Sequence, residues 1–330
     1  MNNDLEAFLD LAAMNPQDQA LHRLGPAQAR ASFELATQRL RWPAPEDLEL
    51  GSLTCTARDG VGLPLRVYKP AHADGGPLPV LMYFHGGGFV VGSLDSHDGV
   101  CRELCARSGC AVISVGYRLA PEHRFPTAFE DGCDVLEALP SLAQAQGLDL
   151  QRVVLAGDSV GATLATALAL HAARQGQAAA VRPIGQLLCY PVTDAAGEYA
   201  SRTLFGEGYL LEDETLEWFY DLYAREPLDR NDWRFSPLRA DDLSGVAPAI
   251  VLLAGLDPLL DEGQAYAERL QSSGVKVEIV LAPDMTHDLL RMMSVTAQVS
   301  IVYERLVDSL LALIDDAREI SRADSILNLA

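Results

Sequence analysis

Positive charge is what the chain has least of. Its 330 residues carry 25 lysines and arginines against 46 aspartates and glutamates, a formal net charge of −21. Such a surface repels phosphate backbones and anionic lipid, so nucleic acid and membrane surfaces are poor partners and a neutral small molecule is a better one. No apolar run is long enough to span a bilayer, and the longest candidate, 163–173, falls far short. The opening Met1-Asn2-Asn3-Asp4-Leu5-Glu6 carries acid where an export signal carries Lys or Arg, and no apolar segment follows it. The expectation is a cytoplasmic protein, monomeric or homodimeric. Cysteine is sparse too: Cys55, Cys101, Cys105, Cys110, Cys133 and Cys189 are spread irregularly and read as free buried thiols. Cys101 and Cys105 would share a helix face, but no histidine or further cysteine stands at a spacing that completes a site, so no metal is expected. Internal repeats and low-complexity tracts are also missing.

What remains is an enzyme-sized globular composition, 49% hydrophobic with scattered Gly and Pro. The length suits one large α/β domain with an appended cap. Residues 1–45 read as a helical cap segment, with Leu5, Phe8, Leu9 and Ala12 on one face. Trp42-Pro43-Ala44-Pro45 breaks that pattern and marks the joint to a catalytic body of 46–330. In the body, strands are expected at 51–57, 64–68, 80–84, 111–115, 152–156, 184–189, 249–254 and 276–281. Helices are expected near 96–108, 128–146, 161–174, 263–273 and 296–318. Alternation with continuously apolar strands, such as Val153-Val154-Leu155-Ala156, implies a mostly parallel sheet covered on both faces. The first strands lack intervening helices and are expected to pair antiparallel at one edge. Residues 194–243, rich in aromatics such as Tyr199, Trp218, Phe219, Tyr223 and Trp233, read as an inserted helical segment. Together with a helix over 5–24, that segment is expected to line or roof a ligand cleft.

Gly157-Asp158-Ser159-Val160-Gly161 lies between a buried-strand pattern and an Ala/Leu-rich helix. A tight strand-to-helix turn strains its central residue, needs small residues two positions either side, and lifts the serine hydroxyl to the positive end of the helix. His85-Gly86-Gly87-Gly88 follows strand 80–84. Consecutive glycines let backbone N–H groups converge on one point, which a developing oxyanion requires. A phosphate cradle is the competing reading, but no Lys-Ser/Thr follows and no ribose-binding acid is placed for a dinucleotide. His85 reads as a brace of this loop rather than a base. A serine of this kind needs a base and an orienting acid, in the order Ser, acid, His. Downstream of Ser159 stand only His171, inside the helix of the turn, and His287, in the loop after strand 276–281. That selects His287. Asp257, at the end of strand 249–254, is the favoured acid. Its competitors are Asp261, expected to cap the next helix, and Asp288, adjacent to the histidine.

With these motifs in order, the chain resembles the hormone-sensitive-lipase family of esterases, the bacterial family IV group of α/β-hydrolases. The resemblance spans about residues 45 to 320. It rests on His85-Gly86-Gly87-Gly88, Tyr117-Arg118-Leu119-Ala120-Pro121-Glu122, Phe125-Pro126 with Asp131, the serine turn, Asp257-Pro258-Leu259 with Asp261-Glu262-Gly263, and Asp284-Met285 ahead of His287. It implies an α/β-hydrolase fold, an about eight-stranded, mostly parallel sheet with helices on both faces and a helical cap. It implies cofactor-free hydrolysis of short to medium acyl esters, with Ser159, His287 and Asp257 as triad. It further implies an oxyanion hole from the N–H groups of Gly87, Gly88 and Val160. Two positions depart from the family pattern: Val160 replaces the usual Ala and crowds the acyl side, and Asp288-Leu289 replaces Gly-Phe and adds a carboxylate near the base. Arg118 and Glu122 read as a buried structural pair or network. The same scaffold serves the plant gibberellin receptors, which lack the histidine, and the same triad serves amidases and lactonases. The complete triad argues against a receptor, while the choice of bond cleaved is not written in the motifs.

Overall fold

The structure, a computed structural model, describes residues 1–14, 20–72 and 76–327. Helices α1 (Asn3–Met14) and α2 (Pro26–Arg39) come first, joined in part by a 3-10 turn at Leu21–Arg23. Strands β1 (Leu48–Thr56), β2 (Gly62–Pro70) and β3 (Leu78–Phe84) precede helix α3 (Asp98–Ser108). Strictly alternating units follow: β4 (Ala111–Val115), α4 (Thr127–Gln146), β5 (Leu148–Asp158), α5 (Val160–Gln175) and β6 (Gly185–Cys189). Between β6 and β7 (Ala249–Leu256) lie α6 (Ala200–Phe205), α7 (Asp213–Tyr223) and 3-10 turns at Pro227–Asn231 and Pro237–Arg239. The chain ends with α8 (Leu260–Ser272), β8 (Val277–Thr286) and α9 (Gln298–Leu327).

The eight strands form one sheet in the order β1-β2-β4-β3-β5-β6-β7-β8. β2 is antiparallel to both β1 and β4, and every other pairing is parallel. Each expected strand is present, and the antiparallel edge is where the missing helices placed it. The pleat divides the core in two. Val80, Met82 and Phe84 of β3 pack with α4, α5 and α8 on one face, whereas Leu81 and Tyr83 pack with α3 and α9 on the other. Both faces are covered, so β4 and β6 are buried at every position.

The N-terminal piece differs from the expected continuous roof. Leu5, Phe8 and Leu9 of α1 join the α3/α9 core, and the Asn2 amide donates to Thr296 and Gln298 at the start of α9. It is the turn at Leu21–Arg23 that meets the inserted segment, through His22 Nδ1 and Thr215 Oγ1 at 2.9 Å. Pro26 at the first position starts α2, so the described residues hold two helices where the sequence reads as one.

Chain order turns from β3 outward to β4 and then back past β3 to β5. The loops after β3 and β5 therefore diverge and open a crevice at the carboxyl ends of adjacent strands, the position where open α/β sheets bind ligands.

Candidate active site

Ser159 occupies the turn from β5 to α5 at φ 53, ψ −123, a conformation costly for any residue with a Cβ. Only glycine fits at its flanks: a Cβ on Gly157 would strike the Gly161 backbone, and one on Gly161 would strike the Phe84 carbonyl. The Ser159 amide donates to the Cys189 carbonyl at the end of β6 (2.9 Å), which fixes the turn to the sheet. Its side chain is 8% exposed.

His287 follows β8 and Asp257 follows β7, so both reach the same crevice. His287 Nε2 lies 3.0 Å from Ser159 Oγ, and His287 Nδ1 lies 2.7 Å from Asp257 Oδ2. The other carboxylate oxygen of Asp257 accepts the Leu259 N–H at 2.9 Å, which locks its orientation. The Tyr190 ring stands edge-on to His287 at 4.8 Å. Burial draws the imidazole pKa down, but the Asp257 carboxylate and its hydrogen bond, helped by Asp288 and Asp158, outweigh it and leave the pKa raised.

The glycine loop after β3 is held from below. Asp158 Oδ1 accepts the Gly86 N–H (3.0 Å) and the Tyr83 hydroxyl (2.5 Å), while Oδ2 faces His97 Nε2 at 3.2 Å. Burial alone would raise the Asp158 pKa, but His97 and the Tyr83 hydrogen bond bring it down to about 2. His85 is buried between Tyr117 (4.4 Å) and His97 (5.5 Å), with Nδ1 2.8 Å from the Gly86 carbonyl. Burial, aided by the neighbouring His97, pushes its pKa down to about 3, so it is neutral and props the loop. Gly87 and Gly88 stand at φ 116 and φ 61. Among the described residues no acceptor engages the N–H groups of Gly87, Gly88 or Val160, and Val160 opens α5, where amides are unpaired by construction. The inserted segment reaches this loop directly: a Cβ on Gly88 would fall inside the Phe219 ring, and Phe89 stacks on Tyr223 at 3.8 Å.

Other sequence expectations resolve differently. Asp261 does not cap α8; its carboxylate accepts the Ser201 N–H of α6 at 2.8 Å. Asp288 pairs with Arg291 at 2.6 Å. His171 lies along α5 and contacts Gln175 and the Phe129 edge. Arg118 and Glu122 are not partners: Arg118 binds Asp131 and Asp59, whereas the half-exposed Glu122 binds Arg30 of α2. Sequence reasoning missed the roles of Asp158 and His97, of which only Asp158 had a signal, its place beside Ser159; it placed Phe219 in the roofing segment without its contact to Gly88. Among the described residues no helix is long and apolar enough to cross a membrane.

A strained serine and a histidine–carboxylate pair at the carboxyl ends of a mostly parallel sheet define the class, an α/β-hydrolase. A family model described as alpha/beta hydrolase fold matches residues 81–291. An ethyl acetate hydrolase of Pseudomonas putida is 46% identical over 299 residues, covering 89% of this chain and 93% of that protein. A carboxylic ester hydrolase of Mycobacterium tuberculosis is 39% identical over 70% of this chain and 61% of its own length. Among solved structures, a thermostable esterase from Pseudomonas putida superposes with a TM-score of 0.88 at 33% identity, covering 95% of this chain and 97% of that one. The chain belongs to the α/β-hydrolase fold family, within it to the carboxylic ester hydrolases of the hormone-sensitive-lipase group.

Proposed function

We propose that Ser159 is the nucleophile of a carboxylesterase, His287 its general base and Asp257 the group that orients and stabilises the imidazolium. The observation that carries this is the unbroken chain from Ser159 Oγ to His287 (3.0 Å) to Asp257 (2.7 Å). His287 takes the serine proton as Oγ attacks the ester carbonyl, and the N–H groups of Gly87, Gly88 and Val160 receive the oxyanion. One such donor contributes about 3 kcal/mol to the transition state. The imidazolium then protonates the departing alcohol, and a water activated by the same base releases the acid from the acyl-enzyme. Gly86 and His85 support this loop without touching the reacting atoms. No cofactor has a role in these steps.

Short acyl chains are the proposed substrates. Val160 is buried beside the nucleophile and Phe219 rests on Gly88, so branched and aromatic bulk closes in on the carbonyl site. The ethyl acetate hydrolase relative supports the same size class. On this reading the Leu21–Arg23 turn and α2, with residues 194–243, act as the cap, while α1 belongs to the body. The acidic surface supports a small-molecule partner rather than nucleic acid, and six free thiols support a cytoplasmic location. Turnover of chromogenic esters from acetate to laurate tests the proposal. A burst of product with kcat/KM greatest for acetate to butyrate is expected, and Phe219→Ala should flatten the series. Equal rates across the wild-type series would overturn the size assignment.

A further inference from the structure

Asp288 occupies the left-handed region, φ 64 and ψ 18, immediately after His287. Glycine adopts that conformation freely and aspartate at a cost, so the carboxylate is kept where backbone preference works against it. Its surroundings show what it holds. Asp288 Oδ2 binds Arg291 Nη1 at 2.6 Å. Arg291 is buried, its guanidinium lies 4.1 Å over the Phe33 ring, and its Nη2 donates to Thr37 Oγ1. Phe33 and Thr37 both belong to α2. On its other side, the Asp288 carboxylate comes within 4.8 Å of a His97 ring nitrogen and an Asp158 oxygen, the pair that supports Gly86. Phe33 also stacks on His97 at 6.3 Å.

We propose that Asp288 and Arg291 are a positioning pair that fastens helix α2 to the histidine loop and sets the charge of His287. The inference rests on His287 being the base. The groups that face His287 are Asp257 from the end of β7, Asp158 and Ser159 from the β5 turn, Tyr190 from the end of β6, and Asp288 from its own loop, itself bound by Arg291. Of the charges among them, Asp257 and Asp158 are committed to bonds with His287 and with the glycine loop. Asp288 and Arg291 are opposed in sign and Arg291 touches α2, so seating of α2 and protonation of the base are coupled through them. When α2 is seated, Arg291 is held against Asp288 and offsets its pull on the imidazolium.

The test is kcat/KM of the full chain on a short ester against pH, with melting curves alongside. Asp288→Gly suits the local φ and should fold. Loss of the anion makes the imidazolium less favourable, so the acid limb should move down by roughly 1 pH unit. Arg291→Met leaves the anion uncompensated and should move the limb the opposite way, with a raised KM as α2 loosens. Arg291→Lys should restore the limb, and Thr37→Val should raise KM without moving it. A merely structural role would move neither limb in opposite directions. If Arg291→Met does not fold, the Asp288→Gly limb decides alone. An unmoved limb in Asp288→Gly, with Ser159→Ala inactive, overturns this inference and leaves the catalytic reading standing. Activity retained in Ser159→Ala overturns both.

Discussion

Two serine–histidine–aspartate chains occur among the described residues, and under the proposed function only one of them reacts. In the first, Ser159 Oγ meets His287 Nε2 at 3.0 Å and His287 Nδ1 meets Asp257 at 2.7 Å. In the second, Ser96 Oγ meets His97 Nδ1 at 2.8 Å and His97 Nε2 meets Asp158 at 3.2 Å. Residue types and distances nearly match, but the ring nitrogens are reversed and the serines differ in what else they do. Ser96 Oγ accepts the Ser93 N–H (2.8 Å) and donates to the Ser93 carbonyl (3.0 Å), so its hydroxyl closes a turn. Ser159 Oγ instead stands on a strained turn at the start of a helix, beside a loop whose Gly87 and Gly88 amides meet no acceptor among the described residues. Asp158 is likewise fully occupied, by Tyr83, Gly86 and His97, whereas Asp257 serves one backbone amide and His287. A triad is therefore defined by free donors and an uncommitted hydroxyl more than by three residue types.

The comparison can be broken by experiment, beginning with the largest effect. Ser159→Ala should lower kcat by about 10⁶-fold, the scale of nucleophile loss in a serine protease triad. Ser96→Ala should instead lose about 1 kcal/mol of stability with turnover nearly intact. Equal losses of turnover in the two variants would show that the second chain takes part in chemistry. Next, Asp257→Asn should reduce kcat by about 10⁴-fold with little change in Tm. Asp158→Asn should lower Tm more and kcat less, since it weakens the buried bonds from Tyr83, Gly86 and His97 without touching the reacting atoms, at a cost of roughly 1–3 kcal/mol. The Asp158 pKa is depressed to about 2, so its contribution is present above the usual carboxylate pKa and fades as pH falls towards 2. Acid melts of wild type and Asp158→Asn should converge at low pH.

A third buried carboxylate sharpens the contrast with the smallest effect. Glu262 accepts the N–H groups of Thr193 (2.6 Å) and Asp194 (3.2 Å), yet burial outweighs them and pushes its pKa up to about 8. A raised pKa makes its contribution greatest at low pH and lost as pH rises through about 8. Glu262→Gln should match wild type in Tm at pH 5 and exceed it by a few degrees at pH 9. A wild type whose Tm lead over the variant grows with pH would contradict the burial argument.

Much of this was legible in the chain. Apolar runs such as Val153-Val154-Leu155-Ala156 announce buried parallel strands, and the glycines at 157 and 161 announce a turn that only glycine fits. His287 could be selected because so few histidines follow Ser159. The second chain was not legible, because His97 and Asp158 lie far apart in sequence and nothing local pairs them. Phe219 was hidden for the same reason: its aromatic neighbours read alike, and only the path of α7 sets it on Gly88. The salt-bridge partners of Arg118 and Glu122 were misjudged because proximity along a loop says little about where long side chains end.

The Ser159 backbone carries one more consequence. A residue held at φ 53 withholds folding free energy that a relaxed turn would release. The restraint comes from the sheet, through the Ser159 amide on the Cys189 carbonyl and through glycines wedged against β3. The central strands thus act as the spring seat of Ser159, and under the proposed function slack between β5 and β6 would register as lost turnover before it registered as lost fold.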